Sequence, residues 1–107
     1  MNRKLLYIIC EIARRKAGRL EGVTGTPVKV EELLNLLHDL WVVKRVAIAS
    51  DYHQVLSSLE YMDEVLGWIE FDADKDVIRV TGEGLREYKE LLRRGYYPFV
   101  REVTIWV

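Results

Sequence analysis

The chain has 107 residues, of which half are hydrophobic and 31% are charged, and its formal net charge at pH 7 is −1. This length suits one hydrophobic core, so we expect a single domain over residues 1–107 and no disordered segment as its main content. The longest apolar runs, residues 5–10 and 46–49, are far shorter than the roughly 20 residues of a membrane-spanning helix. Charged side chains begin after one or two apolar turns, unlike a secretory signal, which predicts a cytoplasmic protein with no membrane partner.

Cys10 is the one cysteine of the chain. It has no partner for an internal disulfide and no second thiol with which to begin a zinc cluster, so we expect a buried thiol and neither a metal nor another cofactor. Amide side chains are few beside the many charged ones, a balance that resembles proteins from hot environments. No acid–base or nucleophile set emerges from the sequence, and we expect no enzymatic activity.

The first predicted helix covers residues 3–17, where apolar side chains recur at steps of three and four and Gly18 provides a stop. A second apolar stripe predicts a helix over residues 30–41. Its start is open, because Thr26 and Pro27 would serve as N-cap and first helical residue, whereas residues 28–30 would also suit a short strand. The period of the following stretch does not decide between helix and strand.

That undecided stretch, residues 42–49, is taken as helical by context. A long third helix follows over residues 51–66, because apolar residues recur there at three- and four-residue steps. Ser50 and Asp51 are the candidate N-caps of this helix. Gly67 is its expected end.

Two short β-type runs, residues 68–71 and 77–80, are separated by five polar residues at 72–76 and predict a β-hairpin. Thr81 then caps a closing helix that reaches Arg94. The loop carries alternating aspartates that imitate a calcium-binding loop. Such loops need a glycine at the sixth position, where this chain has a valine, so the hairpin explains these residues better.

The last residues alternate apolar and polar side chains and predict an extended tail over residues 97–107. Four aromatic residues stand in or next to it: Tyr96, Tyr97, Phe99 and Trp106. Large apolar groups at this density cover either a core edge, such as the first helix of the same chain, or a partner. We therefore hypothesise that the tail or the first helix forms a twofold homodimer.

The middle of the chain carries a recognisable pattern: Leu56-x-x-Leu59, then Leu66-Gly67-Trp68-Ile69-Glu70, then Val77-Ile78-Arg79-Val80-Thr81-x-x-Gly84. It resembles the helix, wing and closing-helix signature of winged helix-turn-helix regulators of the MarR/PadR-like kind. The resemblance covers the layout of residues 28–94. It implies an α+β, mostly helical fold with a three-helix core, a β-hairpin wing, an additional C-terminal helix and an extended tail. It also implies that the helix at 51–66 enters the DNA major groove while the hairpin lies along the backbone or minor groove.

Charge sets a condition on DNA binding, because non-specific affinity comes mainly from Lys and Arg that neutralise phosphates. Residues 1–30 hold seven basic and two acidic side chains, whereas residues 51–76 hold one basic and eight acidic ones. The segment that resembles a DNA-reading element is therefore the acidic one, and carboxylates are repelled by phosphates. If DNA is bound, the contacts must come from the front of the helix and from cations around it.

Eight residues are the resulting candidates for contact with double-stranded DNA. Side chains that can hydrogen-bond base edges lie at the front of the helix: Tyr52, His53, Gln54, Ser57 and Ser58. Lys44, Arg45 and Lys75 are the candidate phosphate contacts. The leading hypothesis is a DNA-binding transcriptional regulator, and the alternative is a protein-interaction module whose acidic helix and wing meet a basic protein partner. A solvated polar helix face would explain the same residues without any partner.

Overall fold

The computed structural model describes residues 2–45, 47–49 and 51–95, without the side chain of Lys44. The described part is mostly helical and carries a small antiparallel sheet, which confirms the α+β, mostly helical class. Within it, no helix is long and apolar enough to cross a bilayer. Ser50 as a cap and the tail at 97–107 lie outside the described residues, as do the four aromatic residues Tyr96, Tyr97, Phe99 and Trp106.

The described residues form four α-helices, one 3-10 helix and three strands. Their bounds are α1 (Asn2–Ala17), a 3-10 helix (Leu20–Gly25), β1 (Val28–Lys29), α2 (Val30–Lys44), α3 (Tyr52–Glu64), β2 (Ile69–Asp72), β3 (Val77–Val80) and α4 (Gly82–Arg93). The three strands form one antiparallel sheet in the order β1-β3-β2. Helices α2 and α3 therefore lie, in chain order, between the two edge strands of this sheet.

Helix α1 is buried on every side over residues 5–10, so the single apolar stripe predicted for it describes one face of a wider buried surface. The 3-10 helix, β1, α2 and α4 all pack against it. Cys10 is completely buried, as predicted, and its burial together with the neighbouring Glu11 carboxylate raises the pKa of the thiol. The exposed side of α1 is mainly charged. Its exposed residues are Arg3, Lys4, Arg14 and Lys16.

The sheet settles the start of α2. Val28 pairs with Ile78 and Lys29 with Val77, so this stretch is a short strand and not a Thr26 N-cap. Asp72 pairs with Val77 at the end of the hairpin, which leaves a loop of four residues at 73–76 where five were predicted. The reason is local, because the Asp72 Oδ1 atom accepts the backbone N–H groups of two loop residues and holds the turn closed.

The prediction of a helix over residues 42–49 is wrong beyond residue 44. Helix α2 ends at Lys44, and Arg45 adopts a left-handed backbone with φ 57° while its N–H donates to Trp41 O. Such a residue ends a helix because it turns the chain away from the helical path. Ile48 and Ala49 then pack against the core in a non-helical conformation, which a straight continuation of α2 would not give.

The predicted N-terminal caps of α3 and α4 are confirmed, whereas α3 ends at Glu64, two residues before its predicted end, and α4 ends at Arg93. Asp51 Oδ1 accepts the N–H of Gln54, and Thr81 Oγ1 accepts the N–H of Gly84. Gly67 has φ 67°, a backbone conformation that favours glycine, and follows the last turn of α3. Thr81 also donates its hydroxyl to Gly67 O at 2.6 Å, so one side chain joins the two ends of the hairpin.

A polar contact joins α1 to α4 beside the core. The Tyr88 hydroxyl donates to Glu11 Oε1 at 2.6 Å and accepts from Arg14 Nη1 at 3.4 Å. Its ring meets the Tyr7 ring edge-on, with the centroids 5.9 Å apart. Burial, reinforced by the hydrogen bond to Glu11, raises the pKa of Tyr88, which keeps the hydroxyl protonated as a donor.

Gly84→Ala should destabilise the fold. A Cβ atom at this position would lie 2.0 Å from Trp68 O, a backbone atom that cannot move without disturbing the hairpin. We expect the free energy of unfolding, measured by chemical denaturation, to fall by about 1–3 kcal/mol. Gly82→Ala is the matched control, because nothing lies within 4 Å of its Cβ. Equal stability of the two variants would contradict this packing.

Tyr88→Phe tests the contact between α1 and α4. Removing the hydroxyl leaves the half-buried Glu11 carboxylate without its donor, and we expect a loss of about 1–3 kcal/mol in the free energy of unfolding. Tyr61→Phe, at a tyrosine that is 46% exposed, should change stability by less than about 0.5 kcal/mol. Thermal and chemical denaturation of both variants compare the two sites. If Tyr88→Phe left the free energy of unfolding unchanged, the hydroxyl would contribute nothing to stability.

Candidate nucleic-acid interface

Helix α3 has one face in the core and one in solvent. Val55, Leu59 and Met62 are buried at helical spacing. The opposite side is exposed, and we call it the outer ridge of α3. It consists of His53, Ser57, Glu60, Tyr61 and Glu64. Because the ridge begins with neutral polar groups and ends with carboxylates, the front of α3 is the part suited to a nucleic acid.

The structure brings most of the predicted base-contacting residues to this front. His53, Gln54 and Ser57 are exposed there. Tyr52 is 46% exposed, and its ring meets the His53 ring edge-on with a centroid separation of 6.5 Å. Ser58 is half-buried on the other side of the helix and does not belong to the ridge.

The predicted phosphate contacts are not brought together. Arg45 is exposed at the C-terminal end of α2, where its guanidinium lies over the Trp41 ring at 5.7 Å from the centroid. Lys75 is exposed on the hairpin loop, close to the N-terminal end of α2. The two ends of this fifteen-residue helix are roughly 20 Å apart. Lys44 is the last residue of α2, and its side chain lies outside the described residues.

Lys75 shares a cleft with a cation that the sequence did not single out. The Val30 N–H donates to Asp76 O at 2.9 Å, which fixes the N-terminal end of α2 beside the hairpin loop. The resulting cleft, which we call the turn cleft, has a volume of about 450 Å³. It is lined by side chains of both charges and by the start of α3: Lys29, Glu31, Asn35, Tyr52, Lys75 and Asp76. The pairing of β1 with β3 brings Lys29 here, and no local sequence signal reveals that pairing.

Carboxylates dominate the rest of this surface. Exposed acidic groups follow the rear of α3 and the hairpin, and we call them the acidic face: Glu60, Glu64, Glu70, Asp72 and Asp74. Asp63 is a separate case. Its Oδ2 atom accepts the backbone N–H of Phe71 at 3.0 Å in a half-buried contact, so this carboxylate anchors α3 to β2.

Several cations of the basic N-terminal segment are used within the chain, among them Arg3, which pairs with Glu87, and Lys16. Lys16 Nζ donates to Glu32 Oε1 and to Pro27 O, both at 2.8 Å. Burial opposes ionisation of Glu32, but the bonds from Lys16 and from the Lys29 N–H outweigh it and hold the pKa of this carboxyl below its usual value. Lys16 therefore stabilises the junction of α1 with α2.

The described residues do not show the arrangement of side chains that a metal-binding site requires. Among residues 2–45, 47–49 and 51–95, no three His, Cys, Asp or Glu side chains are arranged to hold a metal ion. Asp72, the first carboxylate of the calcium-like spacing, directs one oxygen at the backbone of its own turn.

No protein-family model, curated protein or solved structure matches this chain at a significant level. What the protein binds must therefore follow from the chemistry of its own surface.

Asp63→Ala tests whether the Asp63 carboxylate stabilises the fold, unlike the exposed carboxylates near it. The substitution leaves the Phe71 N–H without its acceptor, and we expect the free energy of unfolding to fall by about 1–3 kcal/mol. Asp63→Asn keeps an acceptor oxygen and should recover part of the loss. Glu64→Ala, one residue further on in solvent, is the control and should stay within about 0.5 kcal/mol of the parent chain. Chemical denaturation of the three variants makes the comparison, and identical midpoints would refute the anchoring role.

Proposed function

We propose that the protein is a winged helix-turn-helix protein that binds duplex DNA as a transcriptional regulator. The observation that carries this proposal is the order of elements: a strand, two helices and a β-hairpin, with the first strand added to the hairpin in the antiparallel order β1-β3-β2. In such proteins the second helix of the pair enters the major groove. Helix α3 has the corresponding position, and its outer ridge is in solvent.

The front of α3 supplies groups that read base edges. His53, Gln54 and Ser57 are exposed within the first two turns, and imidazole, amide and hydroxyl groups all hydrogen-bond to bases. Recognition helices make their base contacts with their N-terminal residues. Helix α3 has thirteen residues and is about 20 Å long, and we assign its front, rather than its acidic rear, to the major groove.

Phosphate contacts are assigned to the turn cleft. Lys29 and Lys75 line it together with Tyr52 at the start of α3, which brings two ammonium groups close to the base-reading end of the helix. Glu31 and Asp76 line the same cleft and oppose them, so the non-specific affinity of this surface is low. Arg45 stays a further predicted phosphate contact at the other end of α2.

The acidic face restricts how the helix can dock. Glu60 and Glu64 lie on the rear half of the outer ridge, where they would repel the phosphates of a duplex lying along the whole helix. An end-on approach by the front of α3 keeps them away from the backbone. We therefore propose that duplex DNA meets the front of α3 end-on.

A second candidate rests on the same carboxylates. The acidic face spans α3, β2 and the hairpin loop, and it would suit a basic protein partner in place of DNA. This module would show no retention of duplex DNA even at low salt. The two candidates therefore differ in one measurable property.

A salt titration of binding to random and genomic duplex DNA tests the proposal. We expect measurable affinity at low salt, and Lys29→Ala or Lys75→Ala should each reduce the slope of log affinity against log salt by about 1. Lys89→Ala is the matched control, because this exposed lysine is on α4 and outside the turn cleft. Its slope should equal that of the parent chain.

Base reading is tested in the same assay. His53→Ala should reduce the preference for the best genomic site over random DNA while leaving the salt slope unchanged, since base contacts carry sequence information and phosphate contacts do not. Absence of duplex binding at the lowest salt would overturn the proposal and favour the protein-interaction module. Equal slopes for all three lysine variants would overturn the assignment of the turn cleft.

A further inference from the structure

A second groove lies between α2 and the start of α3, and it shares Tyr52 with the turn cleft. Its volume is about 620 Å³. Most of the lining is apolar and comes from three segments: Leu34, Leu37, Trp41, Ile48, Tyr52 and Val55. We call it the α2–α3 groove. It opens beside α3 on the α2 side, whereas the outer ridge points away from the core.

Two large aromatic side chains at the walls of the groove are exposed to solvent. Trp41 is 50% exposed, and Tyr52 at the other wall is 46% exposed. A large exposed aromatic group beside an apolar depression is the typical composition of a protein contact, where such groups supply most of the binding energy. The Arg45 guanidinium lies over one face of the Trp41 ring, at 5.7 Å from its centroid, so a cation adjoins the aromatic group.

The groove and its rim have the two features that a contact between identical copies needs, a projecting side chain and a depression. A twofold interface brings one patch against its own copy, so a projecting group and a receiving depression must occur side by side on that patch. Trp41 is the projecting group and the groove is the depression. Opposite charges accompany these two features. Arg45 adjoins Trp41, and the Asp51 carboxylate lines the groove.

We infer that the α2–α3 groove is the contact with a second copy of this chain, in which Trp41 of each copy enters the groove of the other. Arg45 then faces the partner's Asp51 on both sides of the twofold axis. The contact leaves His53 and Ser57 in solvent, but it engages Arg45, which in the dimer is no longer available to a phosphate. Dimerisation is therefore measured without DNA. We prefer this surface to the first helix, because the exposed residues of α1 are charged; the tail, the other predicted dimer surface, lies outside the described residues.

Sedimentation equilibrium of the whole chain without DNA, from low to high micromolar concentration, tests this inference. We expect a monomer–dimer equilibrium whose dissociation constant rises by roughly tenfold or more in Trp41→Ala. Tyr61→Ala is the matched control, an aromatic residue of similar exposure on the outer ridge, and should leave dimerisation unchanged. A parent chain that stays monomeric throughout, or equal dissociation constants for the two variants, would overturn the inference and leave the groove to a different partner.

A charge exchange tests the pairing itself. Arg45→Asp and Asp51→Arg each place like charges opposite one another, so each variant alone should dimerise at least several-fold more weakly. Mixed together, the two variants should form a heterodimer, because both opposed pairs become complementary again. Circular dichroism of each variant checks that Asp51→Arg, which removes the α3 cap, still folds. Recovery in the mixture supports the twofold contact, and its failure with both chains folded would overturn the proposed register.

Discussion

The burial of α1 is the constraint on which the other elements depend. Six consecutive residues, 5–10, are withdrawn from solvent, so every side of the helix must be covered by another part of the chain. Helix α4 covers it through the Tyr7 and Tyr88 rings, and the hydroxyl of Tyr88 finds an acceptor in Glu11 so that no hydroxyl is buried without a partner. Two helices far apart in the sequence are thereby joined around one core.

Helices α1 and α4 keep charged side chains in solvent, whereas the turn cleft, the α2–α3 groove and the outer ridge belong mainly to β1, α2, α3 and the hairpin. Helix α3 is attached at its rear, where Asp63 accepts the Phe71 N–H, and at its front by the Asp51 cap and the buried Val55. The exposed groups differ between the two ends, because the rear carries carboxylates and the front carries neutral polar groups. The same arrangement separates the outer ridge from the apolar side of α3 that contains Tyr52 and Val55.

The sequence was most informative where a side chain acts on its immediate neighbours. Asp51 and Thr81 were identified as caps because such residues bond to N–H groups three positions on, and that rule needs no knowledge of the fold. The end of α2 at Arg45 was missed, since a non-glycine residue in the left-handed region leaves no local signal. Lys29 was missed for a different reason: only its pairing across the sheet with Val77 brings it to the hairpin loop. Of the candidate site, the front of α3 was therefore predictable from the sequence, and the turn cleft was not.

The buried thiol of Cys10 gives this chain a built-in reporter. Thiolate is the reactive form of cysteine, and here the raised pKa and complete burial both suppress it while the helix is packed. A thiol-specific reagent therefore reaches Cys10 only when α1 separates from the elements around it. The rate of modification under native conditions then measures how often the core opens, at a single position and without any added label.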